Sequence, residues 1–139
     1  MASPFSSLGV PASGVATMKT WIDAIANNVA NMNDVVSTSD QAFQSQYVFA
    51  SSVPSSLGSG GVGNGVRVSS VTRSEGDGVL VFDPGNPLAD ANGLVRRANV
   101  DLSEQMTNLI IAQRAYSANV TVFERARDAY RQALEIGKF

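Results

Sequence analysis

Acidic side chains are the residues of this sequence best suited to acid–base or metal chemistry, because the chain of 139 residues contains no His and no Cys. That inventory excludes zinc fingers, Ser-His-Asp triads and Cys nucleophiles. Four carboxylates lie in polar turn segments with no apolar pocket to shift a pKa: Glu75, Asp77, Asp83 and Asp90. We interpret them as solvated surface groups, which leaves an enzyme that uses carboxylates alone as the weakest alternative.

Three short motifs resemble functional signatures but lie in the wrong context. Gly58–Gly63 fits G-x-G-x-x-G, yet a Ser-rich loop precedes it and a strand follows, whereas a dinucleotide site needs a strand and then a helix. Asp90–Gly93 resembles the centre of an EF-hand loop, but the first and last ligand positions fall on Leu88 and Asn99. Residues 119–121 form a glycosylation sequon within a predicted helix. We interpret the three as a linker, a turn and a chance match, and we predict no cofactor and no metal.

The overall composition narrows the classes of partner. The formal net charge is −2 and only ten residues are Lys or Arg, so no basic surface points to nucleic acid. No apolar run approaches the roughly 18 to 20 residues that a membrane span requires. The first fourteen residues contain no Lys or Arg, so we expect export, if it occurs, without a cleaved signal peptide.

The longest predicted element is a helix from Leu102 to Leu134, which contains no Pro and no Gly. Asp101 and Glu104 form a capping-box pattern at its start, and Gly137 is placed to end it. Apolar or aromatic residues fill most positions spaced alternately by four and three, as in the seam of a coiled coil. Such a helix is roughly 50 Å long, more than so small a protein can bury against itself. The seam positions are Leu102, Met106, Leu109, Gln113, Tyr116, Val120, Phe123, Arg127, Tyr130 and Leu134.

A second helix is predicted from Pro11 to about Asn33–Asp34, and its register extends back to Leu8. Its apolar positions repeat with the same spacing: Val15, Met18, Ile22, Ile25, Val29 and Met32. Four Asn residues interrupt this apolar helix: Asn27, Asn28, Asn31 and Asn33. Because Asn is a poor helix former, we expect these amides to bond backbone groups, to contact neighbours across an interface or to cap the helix end.

The segment between the helices is predicted to be a small β unit. We expect a strand at Gln44–Ala50, a flexible loop at Ser51–Gly65, a hairpin over Val66–Phe82 and a polar connector at Leu88–Ala98. The predicted fold is mainly α with this small β unit, and its two terminal helices form a coiled-coil-like pair. We expect residues 1–35 and 100–139 to form one discontinuous helical domain and residues 36–99 an outer segment.

Three stretches resemble the axial proteins of the bacterial flagellum, the family of rod and hook subunits. Residues 25–33 resemble the N-terminal signature of that family. Residues 81–93 and 98–120 are similar to the pre-helical segment and the C-terminal helix of its proximal rod members. The sequence departs from the family at Asp34, where Thr is usual, and the loop at Ser51–Gly65 has no counterpart.

The resemblance implies a structural subunit that is exported unfolded by the flagellar type III apparatus and polymerises helically into the proximal rod. That rod crosses the periplasm and transmits torque. The implied partners are copies of the chain itself, other rod proteins, the adapter FliE and the distal rod protein, with no nucleic acid and no small-molecule substrate. We predict that the assembly interface consists of the seam positions of the long helix, the four Asn residues, and Val15, Met18, Ile22, Ile25 and Val29 of the N-terminal helix. Another axial component and a helical-hairpin module that binds proteins stay open as alternatives.

Overall fold

The computed structural model of the protein describes residues 6–54 and 63–137. Along the chain, five short strands lie between two long helices. The predicted fold class, mainly α with a small β unit, is therefore confirmed. The elements are α1 (Ser6–Ala30), β1 (Val35–Val36), β2 (Gln46–Ser52), β3 (Val66–Arg73), β4 (Val79–Phe82), β5 (Leu94–Arg97) and α2 (Leu102–Ile136).

Helix α1 differs from its predicted bounds at both ends. It already includes Ser6, so Pro11 lies inside the helix rather than at its start, as the seam register extending back to Leu8 indicated. The helix ends at Ala30, earlier than expected: the N–H of Met32 donates to the carbonyl oxygen of Val29 at 3.4 Å, and the Asn31 side chain donates to that of Asn27 at 2.8 Å. Short polar side chains that bond the nearby backbone compete in this way with helix propagation.

Helix α2 begins as the capping pattern predicts. Oδ1 of Asp101 accepts the backbone N–H groups of Ser103 at 2.8 Å and Glu104 at 3.4 Å, which satisfies two donors of the first turn. The helix runs to Ile136, two residues past the last seam position. Gly137 follows it with φ −78°, so the end of the helix does not use the left-handed conformation available to glycine.

The predicted hairpin over Val66–Phe82 is wrong, because the strands pair differently. β3 pairs with β2 in a two-stranded antiparallel sheet, whereas β4 pairs with β5 in a three-stranded sheet of order β1-β5-β4. The turn between β3 and β4 contains Gly76 and Gly78, both at positive φ, and it redirects the chain from one sheet to the other. Local turn residues indicate a change of direction and do not specify the partner strand.

Other strand predictions are partly right. β2 is shifted by two residues from the predicted strand at Gln44–Ala50, so Ser51 and Ser52 belong to a strand rather than a loop. The remainder of the predicted loop includes residues 55–62, which lie outside the described residues together with most of the Gly-rich motif. The prediction of a polar connector at Leu88–Ala98 is wrong, because this segment contains β5, in which Val95 is buried.

The irregular alternation within β3 corresponds to a β-bulge. Phe49 on β2 lies opposite Ser70, and the next residue, Ala50, lies opposite Val68, which leaves Ser69 as the extra residue. The hydroxyl of Ser69 donates to the carbonyl oxygen of Phe49 at 3.0 Å and stabilises the bulge.

The core is small among the described residues. Its buried apolar side chains are mainly alanines, joined by Ile25 and Val95. Several polar side chains are buried with them, including Asn28 and Gln105. Neither helix is long and apolar enough, within the part of the chain that the structure describes, to cross a membrane.

Candidate assembly surface

Two contacts define the register in which α1 and α2 pack antiparallel. Nδ2 of Asn28 donates to Oε1 of Gln105 at 3.0 Å. Near the other end of α1, Gly14 approaches Asn119 so closely that a β-carbon on Gly14 would overlap the amide. In an antiparallel helix pair, residues at the same level have numbers with a constant sum. That sum is 133 for both contacts, so the same register holds over about 21 Å of α1.

Asn28 joins three elements of the fold. Its side chain is 1% exposed, and its Oδ1 accepts the N–H of Gln46 at 2.7 Å. Its Nδ2 donates to the carbonyl oxygen of the same residue at 2.9 Å and also to Gln105. The amide thus completes the backbone hydrogen bonding at the start of β2 while it binds α2, which explains an Asn inside an apolar helix.

Ser13 ties the opposite end of the β2–β3 hairpin to α1. Its Oγ donates to the carbonyl oxygen of Val10 at 2.6 Å and accepts the N–H of Val66 at 3.0 Å. Val66 opens β3 opposite Ser52, the last residue of β2. The two ties at Asn28 and Ser13 are about 22 Å apart on α1, which matches the length of the seven-residue β2.

The structure places the nine predicted interface residues of the N-terminal segment at different depths. Ile25 and Asn28 are buried, and Asn33 is exposed. The Asn27 and Asn31 amides bond each other at 2.7 Å near the end of α1. The half-buried members are Val15, Met18, Ile22, Asn27, Val29 and Asn31. Most of this set therefore contributes to packing within the chain, and its role between copies stays a prediction.

The predicted seam of α2 is only partly turned towards α1. Half-buried members are Leu109, Tyr116, Val120, Phe123 and Tyr130, whereas Leu102, Met106, Gln113, Arg127 and Leu134 are exposed. The face that packs on α1 is centred on Ala112, which is 0% exposed. It lies about 60° around the helix from the centre of the predicted seam, at 100° per residue.

Sequence reasoning missed the residues that make this covered face, Gln105, Ala112 and Asn119. They are small or polar, so a search for bulky apolar residues passes over them. The sequence does contain one indication of them: they are spaced by seven residues, as are Gly14, Trp21 and Asn28 on α1.

Helix α2 also carries a second apolar face that the prediction missed. We call it the lateral stripe, and it consists of Ile111, Ala118, Val122, Ala129 and Ile136, all exposed. Ile111 is 50%, Val122 54% and Ile136 76% exposed. The stripe runs for about 38 Å along the helix, beside the face that packs on α1. Its spacings of seven and four were readable from the sequence, but the predicted seam concealed them.

An apolar groove lies where the helices meet near the start of α1. It has a volume of about 190 Å³ and is lined by Ala12, Val15, Val120 and Phe123. At the same register, Ser6, the first residue that the structure describes, is level with Arg127. The helix pair thus offers apolar surface to a neighbour along its side and at this end.

Charged groups in the described residues do not form a chemical centre. No group of three His, Cys, Asp or Glu side chains in residues 6–54 and 63–137 is arranged to hold a metal ion. Asp90 accepts the N–H groups of Leu94 at 2.9 Å and Asn92 at 2.8 Å, so the predicted turn is present. These bonds, with that to Leu94 first, hold the pKa of Asp90 below its usual value.

The seam residue Arg127 and the sequon residue Asn119 have contacts within the chain. Arg127 forms an exposed ion pair with its neighbour Asp128 at 3.1 Å. Asn119 Nδ2 donates to the carbonyl oxygen of Ala115 at 2.8 Å, and its amide lies over Gly14. An amide held between two helices supports the interpretation of the sequon as a chance match.

Comparison with known proteins identifies the relatives of this chain. The family model described as "Flagellar basal body rod FlgEFG protein C-terminal" matches residues 91–136, which include β5 and α2. Proteins named "Flagellar basal-body rod protein FlgC" align over nearly the whole length. The relative from Bacillus subtilis strain 168 is 35% identical over 150 residues, covering 96% of this chain and 98% of its own.

Two further relatives with the same name come from other bacteria. The protein of Salmonella typhimurium strain LT2 is 34% identical over 130 residues, which cover 93% of this chain and 94% of the relative. That of Borreliella burgdorferi is 34% identical over 146 residues, or 95% of this chain and 96% of the relative. With such identity over nearly full length, the chain belongs to the FlgC family of flagellar basal-body rod proteins.

Proposed function

We propose that this protein is a structural subunit that polymerises with copies of itself into the proximal rod, using apolar surface left exposed on its helix pair. The observation that carries the proposal is the lateral stripe of α2, where Ile111 and Val122 are each about half exposed. An apolar stripe about 38 Å long is more than the scattered exposed residues usual on a monomer. Burial of that stripe against a neighbour would release water and favour association.

The exposed members of the predicted seam form a second exposed surface, on the opposite side of α2 from the lateral stripe. Leu102, Met106 and Leu134 are each 42–53% exposed. Gln113 and Arg127 are exposed among them, and such polar groups select register and partner in helix packing. The predicted interface residues that face α1 support the surface from within, because they hold α2 in place.

The proposal of specific partners is supported by the family and by the resemblance of residues 81–93 to its proximal rod members. The neighbours of the subunit are other rod proteins, the adapter FliE and the distal rod protein. Residues 1–35 and 100–139 form the inner, helical part of the polymer, and residues 36–99 lie outside it. The chain is exported unfolded through the flagellar type III apparatus, and the assembled rod transmits torque across the periplasm. We assign it no catalytic activity.

A paired replacement on α2 tests the assembly surface. Ile111→Gln with Val122→Gln removes two apolar contacts, each worth about 1.5–3 kcal/mol when fully buried. We expect the variant to unfold at the same denaturant concentration as the original protein, because both side chains are exposed in the monomer. In the source bacterium lacking its own copy, we expect it to give no swimming and no rods in isolated basal bodies.

The matched control is Ser117→Gln with Thr121→Gln, which makes two replacements on the exposed polar side of the same helix. We expect this control to support swimming. Normal rods from the Ile111/Val122 variant would contradict the lateral stripe as an assembly surface.

A further inference from the structure

The two contacts that define the helix register lie fourteen residues apart on each helix, from Gly14 to Asn28 on α1 and from Gln105 to Asn119 on α2. One contact is a buried amide pair between Asn28 and Gln105. The other places the Asn119 amide where Gly14 lacks a side chain. The two layers therefore differ in polarity and in the size of the residue that α1 contributes.

A third layer lies midway between them. Trp21 is level with Ala112, because these residue numbers also add up to 133. Ala112 is 0% exposed, and Trp21 is half-buried. The largest side chain of α1 thus lies at the level of one of the smallest side chains of α2.

A slip of the helices by seven residues would mismatch all three layers. In one direction Trp21 would be level with Asn119 and Asn28 with Ala112, and in the other Trp21 would be level with Gln105. Either slip places an indole against an amide and deprives a buried amide of its partner, which is unfavourable. The apolar seam positions do not discriminate in this way, because they repeat at the same interval.

We infer that the layers Gly14–Asn119, Trp21–Ala112 and Asn28–Gln105, here called the register layers, set the register of α1 on α2 together with the pairing of β1 and β5 that joins their ends. The seam residues supply apolar contact area that is similar in slipped registers. This inference concerns the single chain and does not depend on the proposed assembly.

Distances between spin labels on exposed positions report the register directly. The chain contains no Cys, so Ala16→Cys and Ser103→Cys introduce the only two attachment sites. In the register of the structure these positions are about 21 Å apart along the helix axes, and a slip by seven residues changes this separation to about 10 or 31 Å. We expect pulsed electron paramagnetic resonance to give one distance population for the labelled protein.

Removing the α2 partners of both polar layers should release the register. In Gln105→Leu with Asn119→Ala, Asn28 keeps its bonds to β2, so the hairpin stays attached. In this variant Asn28 lacks a partner on α2 in the native register as well as in a slipped one, so a slip no longer adds the penalty for an unpaired buried amide. We therefore expect the slipped population to rise by about tenfold or more relative to the native one. The control Gln113→Leu with Ser117→Ala alters exposed positions of the same helix and should keep a single distance.

A swapped layer tests the inference without removing amides. We expect Ala112→Trp alone to lose the native distance and Ala112→Trp with Trp21→Ala to restore it. The inference is overturned if the labelled protein with unaltered layers gives several distances, or if the Gln105/Asn119 variant keeps the single native distance. It is also overturned if Ala112→Trp with Trp21→Ala does not restore the native distance.

Discussion

At the scale of single residues, Asn28 shows how a local cost is offset by contacts distant in the sequence. Asn is unfavourable inside a helix, by up to about 0.7 kcal/mol relative to Ala. Here its amide makes three hydrogen bonds to Gln46 and Gln105, which are 18 and 77 residues away. The sequence predicted that such an amide would bond backbone or a neighbour. It could not identify the partners, because neither lies within a turn of Asn28.

Replacing Asn28 should therefore be costly. We expect Asn28→Ala to lower the free energy of unfolding by about 2–4 kcal/mol, because it leaves the amide of Gln105 and the backbone of Gln46 without partners. Denaturant unfolding followed by circular dichroism measures this change. Asn33→Ala is the matched control, since Asn33 is exposed, and should change stability by no more than about 0.5 kcal/mol. Equal effects at the two positions would contradict the role assigned to Asn28.

Asp90 should make stability depend on pH in the acid range. Its pKa is lowered in the folded protein, chiefly by the hydrogen bond from the N–H of Leu94. Its contribution is therefore present above the pKa of the unfolded chain, about 3.9, and is lost as the pH falls through the lower folded value. Asp90→Asn keeps an oxygen that accepts the same N–H groups but does not titrate.

We expect the difference in unfolding free energy between the original protein and Asp90→Asn to be constant above about pH 5 and to change below about pH 4. Urea unfolding at a series of pH values measures this difference. The assignment fails if the two proteins show the same pH dependence throughout.

At the scale of elements, the periodicity of apolar residues predicted both helices. It did not predict which face of α2 packs on α1, because small and polar residues form that face. The covered face of α2 contains Ala112 and Gln105, so a search for large apolar residues selected a direction about 60° away. Strand existence was predicted for β2, β3 and β4. The pairing of the strands was not predicted, because β4 pairs with β5, and β5 lies in a polar segment that has no strand pattern.

Two glycines of α1 provide a prediction at this scale. Gly9 has open space around it, and Gly14 lies against Asn119. Ala is favoured over Gly in helices by about 0.5–1 kcal/mol, so we expect Gly9→Ala to raise the stability by that amount. We expect Gly14→Ala to lower it by about 1–3 kcal/mol, because overpacking outweighs the helix preference.

Thermal unfolding of the two alanine variants side by side measures the contrast. A similar gain in stability for both would mean that the helices separate at Gly14 without cost, contrary to the close approach in the structure.

At the scale of the whole molecule, the protein is a helix pair with a small core and more apolar surface than it buries. It belongs to a family of flagellar basal-body rod proteins, and a subunit of a rod has neighbours that can cover such a surface. The sequence predicted this level well, because length, helix spacing and the three family stretches all agree. It did not separate surface that packs within the chain from surface left for neighbours, since both carry similar spacings.

The most direct test of the central claim is the reactivity of one position of the lateral stripe before and after assembly. Val122→Cys introduces a single thiol into a chain that has none. Val122 is 54% exposed in the monomer, so we expect the thiol of this variant to react readily with a maleimide in dilute purified protein. In isolated basal bodies the same thiol should react at least about tenfold more slowly, as expected for a side chain that is buried in an interface in most subunits. Equal rates in the two preparations would contradict assembly through the lateral stripe.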